Sequence, residues 1–78
     1  MTSGKLAVDL AKPDHELAEI IKLLCAGFGN VRSVEIHRSP TPFALVSMAT
    51  HTQTLELAGQ YGGSAFGQSA LIHLEQQS

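Results

Sequence analysis

The 78-residue chain has a single cysteine, no tryptophan and only five basic residues. The lone Cys25 cannot form an intramolecular disulfide or a cysteine-rich metal site, which favours a reducing compartment. No apolar run approaches the ~20 residues of a membrane-spanning helix, and the N-terminus lacks the apolar core of a signal peptide. These absences predict a cytoplasmic protein that contacts no membrane.

The shortage of positive charge restricts the possible partners. The formal net charge is −2. The five cations are scattered along the chain, at Lys5, Lys12, Lys22, Arg32 and Arg38. Proteins that bind nucleic acid tightly usually carry clustered Lys and Arg that contact the phosphates. The charge therefore argues against tight, electrostatically driven binding of nucleic acid.

The composition that remains is that of one folded domain. Hydrophobic residues make up 44% of the chain and charged residues 15%, which is too apolar for a disordered protein. A chain of this length has room for one core, and no linker or repeat interrupts it. We expect a single domain over residues 1–78, with an ordered core over about 5–75.

Hydrophobic periodicity predicts six elements. The segments "KLAVDL", "NVRSVEIHR", "FALVSMA" and "SALIHLEQ" alternate as half-buried strands do, whereas "PDHELAEIIKLLCAGFG" and "HTQTLELAGQYGG" have helical spacing. The order is strand, helix, strand, strand, helix, strand. It predicts an α+β, ferredoxin-like βαββαβ sandwich: a four-stranded antiparallel sheet with both helices on one face.

Local signals predict where the helices begin and which side each one buries. Asp14 can cap the first helix, and Thr50 followed by Gln53 resembles a capping box for the second. The second helix is expected to bury Leu55 and Ala58, with Tyr61 or Leu57 as a further core-facing residue. The apolar stripe of the first helix comprises Leu17, Ile20, Ile21, Leu24 and Phe28.

The predicted sheet leaves one face open, because side chains alternate between the two faces of a strand. The inward set can meet the helices. The outward set includes two large apolar residues of the third strand, Phe43 and Leu45, which indicates a binding surface. The complete outward set is Ala7, Asp9, Glu35, His37, Phe43, Leu45, Ser47, Leu71 and His73.

Three segments resemble the RNA recognition motif (RRM) family. "LLCAGFGNVRSVEIHR" is similar to the end of that family's first helix and its second strand, and "GGSAFGQSALIHL" to its last loop and fourth strand. "TPFALVSM", residues 41–48, occupies the place of the longer ribonucleoprotein motif. The similarity covers about residues 5–75. It implies an RRM-like domain that binds single-stranded RNA on its open sheet face.

The resemblance also implies which residues would contact RNA. Bases stack at three positions of the family's motifs, which are Phe43, Leu45 and Ala7 in this chain. Only one of the three is aromatic, and Thr41 stands where the family has a basic residue, so the implied binding is weak. The predicted RNA-binding residues are Phe43, Leu45, Ala7, His37, Arg38 and His73.

Two other functions remain open. The same apolar face would suit a protein–protein interaction or a homodimer, since contiguous exposed apolar patches often mark interfaces. The stretch "VDLAKPDHELAEIIKLLCAGFGNVRSVEI" also resembles the ACT family of amino-acid-binding domains, although Asp14 stands where that family usually has Gly.

Enzymatic chemistry is not expected. Cys25 lies beside an apolar stripe, which favours a buried thiol over a nucleophile. The pair His37 and His73 lacks a third metal ligand, and the glycine-rich segments fit no nucleotide-binding spacing. The sequence therefore predicts a binding module with no catalytic residues, no metal and no cofactor.

Overall fold

The segments with alternating apolar residues are strands, and the two segments with helical spacing are helices. The predicted α+β fold class is therefore confirmed. The computed structural model describes residues 5–77; the predicted ends of the domain at 1–4 and 78 lie outside this range. The elements are β1 (Leu6–Val8), α1 (Asp14–Cys25), β2 (Val31–His37), β3 (Phe43–Met48), α2 (His51–Gln60), β4 (Ser64–Phe66) and β5 (Ser69–Gln76), with a 3-10 turn at Ala26–Phe28 after α1.

The sheet has five strands and is mixed. Its order is β1-β5-β3-β2, and β4 pairs with β5 beside β1. The β1–β5 pair is parallel, whereas β5–β3, β3–β2 and β4–β5 are antiparallel. The sequence predicted four antiparallel strands. The number and order of the strands therefore differ from that prediction, and a ferredoxin-like fold is not confirmed.

The difference arises from the β4–β5 hairpin. Phe66 pairs with Ser69 across a two-residue turn. Gly67 opens this turn with φ at +61°, in the left-handed region that glycine adopts without strain. The turn reverses the chain, so that β5 runs antiparallel to β3 and lies between β3 and β1. From sequence alone this glycine-rich segment is predicted as a turn, because the three residues of β4 give too short an alternation to indicate a strand.

The inward face of the sheet and both helices share one core. The predicted inward residues of β1, β3 and β5 are all buried, at 6% exposure or less. They pack with residues from α1 and α2 in a single cluster. These inward residues are Leu6, Val8, Ala44, Val46, Met48, Ala70, Ile72 and Leu74.

Each helix is rotated slightly from its predicted orientation. The first helix buries Leu17, Ile21 and Cys25, spaced four residues apart, while Leu24 is 45% exposed. The second helix buries Ala58 and Leu57, as predicted for Ala58 and for one of its two alternatives, whereas Leu55 is 52% exposed. A stripe defined only by large apolar residues overlooks Cys25, whose small side chain is among the most often buried.

A β-bulge sets the outward side of β2. Val31 pairs with Met48 and Ser33 with Ser47, so Arg32 is an extra residue on β2. Such an insertion shifts the alternation by one residue. Val31 therefore packs against the core together with Val34, three positions later.

Candidate binding surface on the open sheet face

The side of the sheet away from the helices carries three cross-strand rows. Each row has one residue from β2, one from β3 and one from β5, aligned by the strand register. The first row consists of His37, Phe43 and His73, the second of Glu35, Leu45 and Leu71, and the third of Ser33, Ser47 and Ser69. We call these rows, together with the outward residues of β1 and β4, the open face.

An aromatic stack dominates the first row. The rings of His37 and Phe43 are parallel within 12°, with centroids 4.8 Å apart. His37 Nε2 lies 3.4 Å from Glu35 Oε1, but the two atoms do not form a hydrogen bond. This buried ring nitrogen therefore has no hydrogen-bond partner. His73 is exposed on the other side of Phe43. Since His37 covers one face of the Phe43 ring, a ligand can stack only on the opposite face.

The centre of the open face is apolar. Leu45 and Leu71 are direct cross-strand partners and are partly exposed. Phe66 on β4 lies beside Ser69 and is 60% exposed. Phe43, Leu45, Leu71 and Phe66 together form what we call the apolar strip. The strip extends along β5 from the row of Ser69 to the row of His73, which are separated by three residues.

Phe66 is the residue of this surface that was not predicted from sequence. A strand of three residues gives too short an alternation to detect. The available signal was the pair Gly67-Gln68 between two alternating segments, which is typical of a tight hairpin.

Charge is confined to the margins of the open face. Between Phe43 and Ser47 on β3, and between Ser69 and His73 on β5, no outward residue is formally charged. Glu35 lies on the β2 margin, with its side chain 68% exposed. Lys5 lies at the opposite margin, where it lines a shallow pocket with Pro42 and His73.

Arg38 does not face the open sheet surface with a free guanidinium. Its Nε donates to Asp14 Oδ1 at 2.8 Å, and its two Nη atoms donate to Leu10 O and Lys12 O, both at 2.7 Å. These bonds tie the end of β2 to the segment between β1 and α1. Asp14, which was predicted to cap α1, makes no side-chain cap there and accepts from Arg38 instead. A phosphate contact by Arg38 would have to replace these bonds.

Ala7 lies away from the other predicted site residues. It is exposed on β1, and its strand partner is Glu75 of β5. A ferredoxin-like sheet would have the first strand next to the third, whereas β5 occupies that position in the structure. Ala7 is therefore two strands from Phe43. His37 and His73 lie on either side of Phe43 in the same row, and Leu45 lies in the next row.

Cys25 is a poor candidate nucleophile. Its side chain is fully buried in the core, and burial raises its pKa from 9.0 to about 11. The thiolate, which is the reactive form, is therefore scarce at neutral pH. Within residues 5–77, no three side chains of the His, Cys, Asp and Glu types are grouped to hold a metal ion.

Neither helix of the described chain has the length and apolar character needed to cross a membrane.

A scan against protein-family models, a search of curated proteins and a search of solved structures each found no match for this chain. Membership of the RRM or ACT families therefore stays a prediction based on the segments quoted above.

Proposed function

We propose that this chain is a non-catalytic binding module that contacts another protein through the apolar strip. The observation that carries the proposal is the uncharged centre of the open face, where Leu45 and Leu71 lie side by side. Interface cores are depleted in charged residues and enriched in aromatic ones, and their rims are polar. The strip has this composition, with Phe43 and Phe66 towards its ends and Glu35 at its margin.

The same surface is poorly suited to a phosphate backbone. Glu35 is the exposed charge nearest the centre of the strip, and it would repel phosphate. The guanidinium of Arg38 is engaged within the chain. Apolar contact with a protein requires no such cations, so the protein partner is favoured.

Photo-crosslinking in cells that express the chain tests this proposal. A photoreactive phenylalanine analogue is placed at Leu45, in the centre of the strip. The matched control carries the same analogue at Leu23, which is 74% exposed on α1. We expect a discrete protein adduct from position 45 and none from position 23.

The adduct itself identifies the class of partner. A protein adduct confined to position 45 supports the proposal. No adduct at position 45, or equal adducts at both positions, overturns it. An adduct that nuclease digestion shortens would assign the face to nucleic acid instead.

Weak binding of single-stranded RNA is the second candidate. The open face carries two aromatic side chains, Phe43 and the exposed Phe66, and bases stack on such residues for ~1–3 kcal/mol each. RNA binding through Phe43, Leu45, Ala7, His37, Arg38 and His73 was the function implied by the family resemblance. A titration of the protein with short mixed RNA oligomers, followed by amide NMR shifts at two salt concentrations, tests it. Shifts at Phe43 and Leu45 that weaken steeply with salt would support RNA.

A further inference from the structure

The open face is matched to a copy of itself. The sheet has four lateral positions: β1 with β4, then β5, β3 and β2. Its midline runs between β3 and β5. Consider a two-fold axis that is parallel to the strands and lies just above the open face along this midline. Rotation about it would bring the two open faces together and place β3 of one copy over β5 of the other.

The strand register makes this superposition favourable. Leu45 and Leu71 share one row, as do Phe43 and His73. The axis exchanges the members of each row, so Leu45 meets the second copy's Leu71 and Phe43 meets the second copy's His73. Leucine then meets leucine, ring meets ring, and the serines of the third row meet each other, while Phe66, which extends the third row beyond Ser69, meets the β2 margin at Ser33. An axis perpendicular to the strands would instead place the serine row over Phe43.

The margins are complementary under the same operation. Glu35 lies on the β2 margin and Lys5 on the β1 margin, next to His73. The axis brings the β2 margin of one copy over the β1 margin of the other, so that Lys5, which extends the first row beyond His73, lies over His37 of the second copy. The Glu35 carboxylate lies 3.4 Å from that His37 ring, which brings opposite charges near each other at both rims. Rim charges of this kind set orientation and association rate more than affinity.

The small size of the face limits the strength of the contact. Four strands ~4.8 Å apart and three rows ~6.8 Å apart cover roughly 300–400 Å² on each copy. A stable interface buries ~800 Å² per partner, so this contact belongs to the weak, transient class. A dissociation constant of about 100 µM is the scale that we expect, equivalent to ~5.5 kcal/mol.

We propose that the protein bound at the open face is a second copy of this chain, in a weak, face-to-face, two-fold dimer. The inference rests on the proposed function, because it uses the same apolar strip.

Sedimentation equilibrium of the purified full chain, from about 10 µM to 1 mM, tests the dimer. The apparent mass of the unmodified chain should rise towards twice the monomer mass. Leu45→Glu should raise the dissociation constant at least ~10-fold, because two carboxylates would enter the apolar centre. Leu23→Glu is the matched control on α1 and should dimerise like the unmodified chain. Circular dichroism confirms that each variant is folded.

A charge exchange tests the orientation. Glu35→Lys and Lys5→Glu should each raise the dissociation constant ~2- to 5-fold, and the double variant should restore it. A chain that stays monomeric at 1 mM overturns the inference, and so does a dimer that Leu45→Glu leaves intact. Failure of the double variant to recover overturns the proposed axis. A position-45 adduct with a different protein would retain the proposed function while removing the second copy.

Discussion

The imidazole of His37 stacks on the phenyl ring of Phe43 across β2 and β3, with ring centroids 4.8 Å apart and planes 12° apart. Each ring shields one face of the other from water. The stack therefore holds Phe43 in one orientation on a surface where a lone aromatic side chain could adopt several rotamers. This orientation sets which face of Phe43 is offered to a partner.

The stack should be measurable as a coupling energy. Phe43→Ala should lower the free energy of unfolding by about 1–2 kcal/mol, since Phe43 is only partly buried. Together with His37→Ala in a double-mutant cycle, the coupling should be ~0.5–1.5 kcal/mol. Urea unfolding of the four proteins measures it. Phe66→Ala, at a position 60% exposed, is the control and should change stability by less than about 1 kcal/mol. A coupling near zero would contradict the stack.

Arg38 is expected to be a structural residue. Its guanidinium donates to Leu10 O, Lys12 O and Asp14 Oδ1. Arg38→Ala should therefore cost about 1–2 kcal/mol, because two backbone carbonyls and a carboxylate lose their donor at a partly exposed site. Arg38→Lys should recover little of this, since a single ammonium cannot reach all three acceptors.

Thermal or urea unfolding measures this loss, with Arg32→Ala as the control. Arg32 is the extra residue of the β2 bulge and is exposed, so its removal should leave stability nearly unchanged. Equal stabilities for Arg38→Ala and Arg32→Ala would show that the hydrogen bonds of Arg38 contribute nothing to the fold.

Short-range signals predicted much of this fold because they depend on neighbours in the chain. The alternation that buries Ala44 and Val46 is confirmed. So is the cap of α2, where Gln53 N donates to Thr50 Oγ1 at 3.2 Å. The outward placement of Phe43 and Leu45 follows from the same alternation, so the centre of the candidate surface could be read from sequence.

Strand order depends on long-range pairing, and the sequence could not supply it. The alternation of β5 is the same whether it pairs with β3 or lies at an edge, because both arrangements bury the same face. Only the three-residue β4 and its turn at Gly67 reverse β5. That reversal separates Ala7 from Phe43 and brings Phe66 to the open face. The role of Arg38 was equally hidden, since its partner Asp14 is 24 residues away.

Alkaline pH should destabilise the fold through Cys25. Burial raises its pKa in the folded chain to about 11, from 9.0. Above pH 9 the unfolded chain loses this proton while the folded chain keeps it, so the free energy of unfolding falls as pH rises. We expect a loss of about 2 kcal/mol between pH 8 and pH 10.5. Urea unfolding at several pH values measures this loss.

The contribution of Cys25 can be separated from that of Tyr61. Burial also raises the pKa of Tyr61, and a Cys25 thiolate raises it further. Cys25→Ala should flatten the decline between pH 8 and 10.5, although it lowers stability at every pH by leaving a cavity. If the slope with pH is the same in both proteins, the decline does not come from the thiol.

Two glycines, Gly59 in the last turn of α2 and Gly63 just before β4, offer a direct test of the strand order. A Cβ at Gly63 would overlap Leu71 O, because β4 brings this segment against the backbone of β5. Gly63→Ala should therefore cost at least about 2 kcal/mol, since backbone must move to admit the methyl group. The control, Gly59→Ala, has open space around its Cβ within α2 and should gain ~0.5–1 kcal/mol. Urea unfolding compares the two substitutions at positions four residues apart. If Gly63→Ala is tolerated as well as Gly59→Ala, β4 does not lie against β5, and the position of β5 between β1 and β3 loses its support.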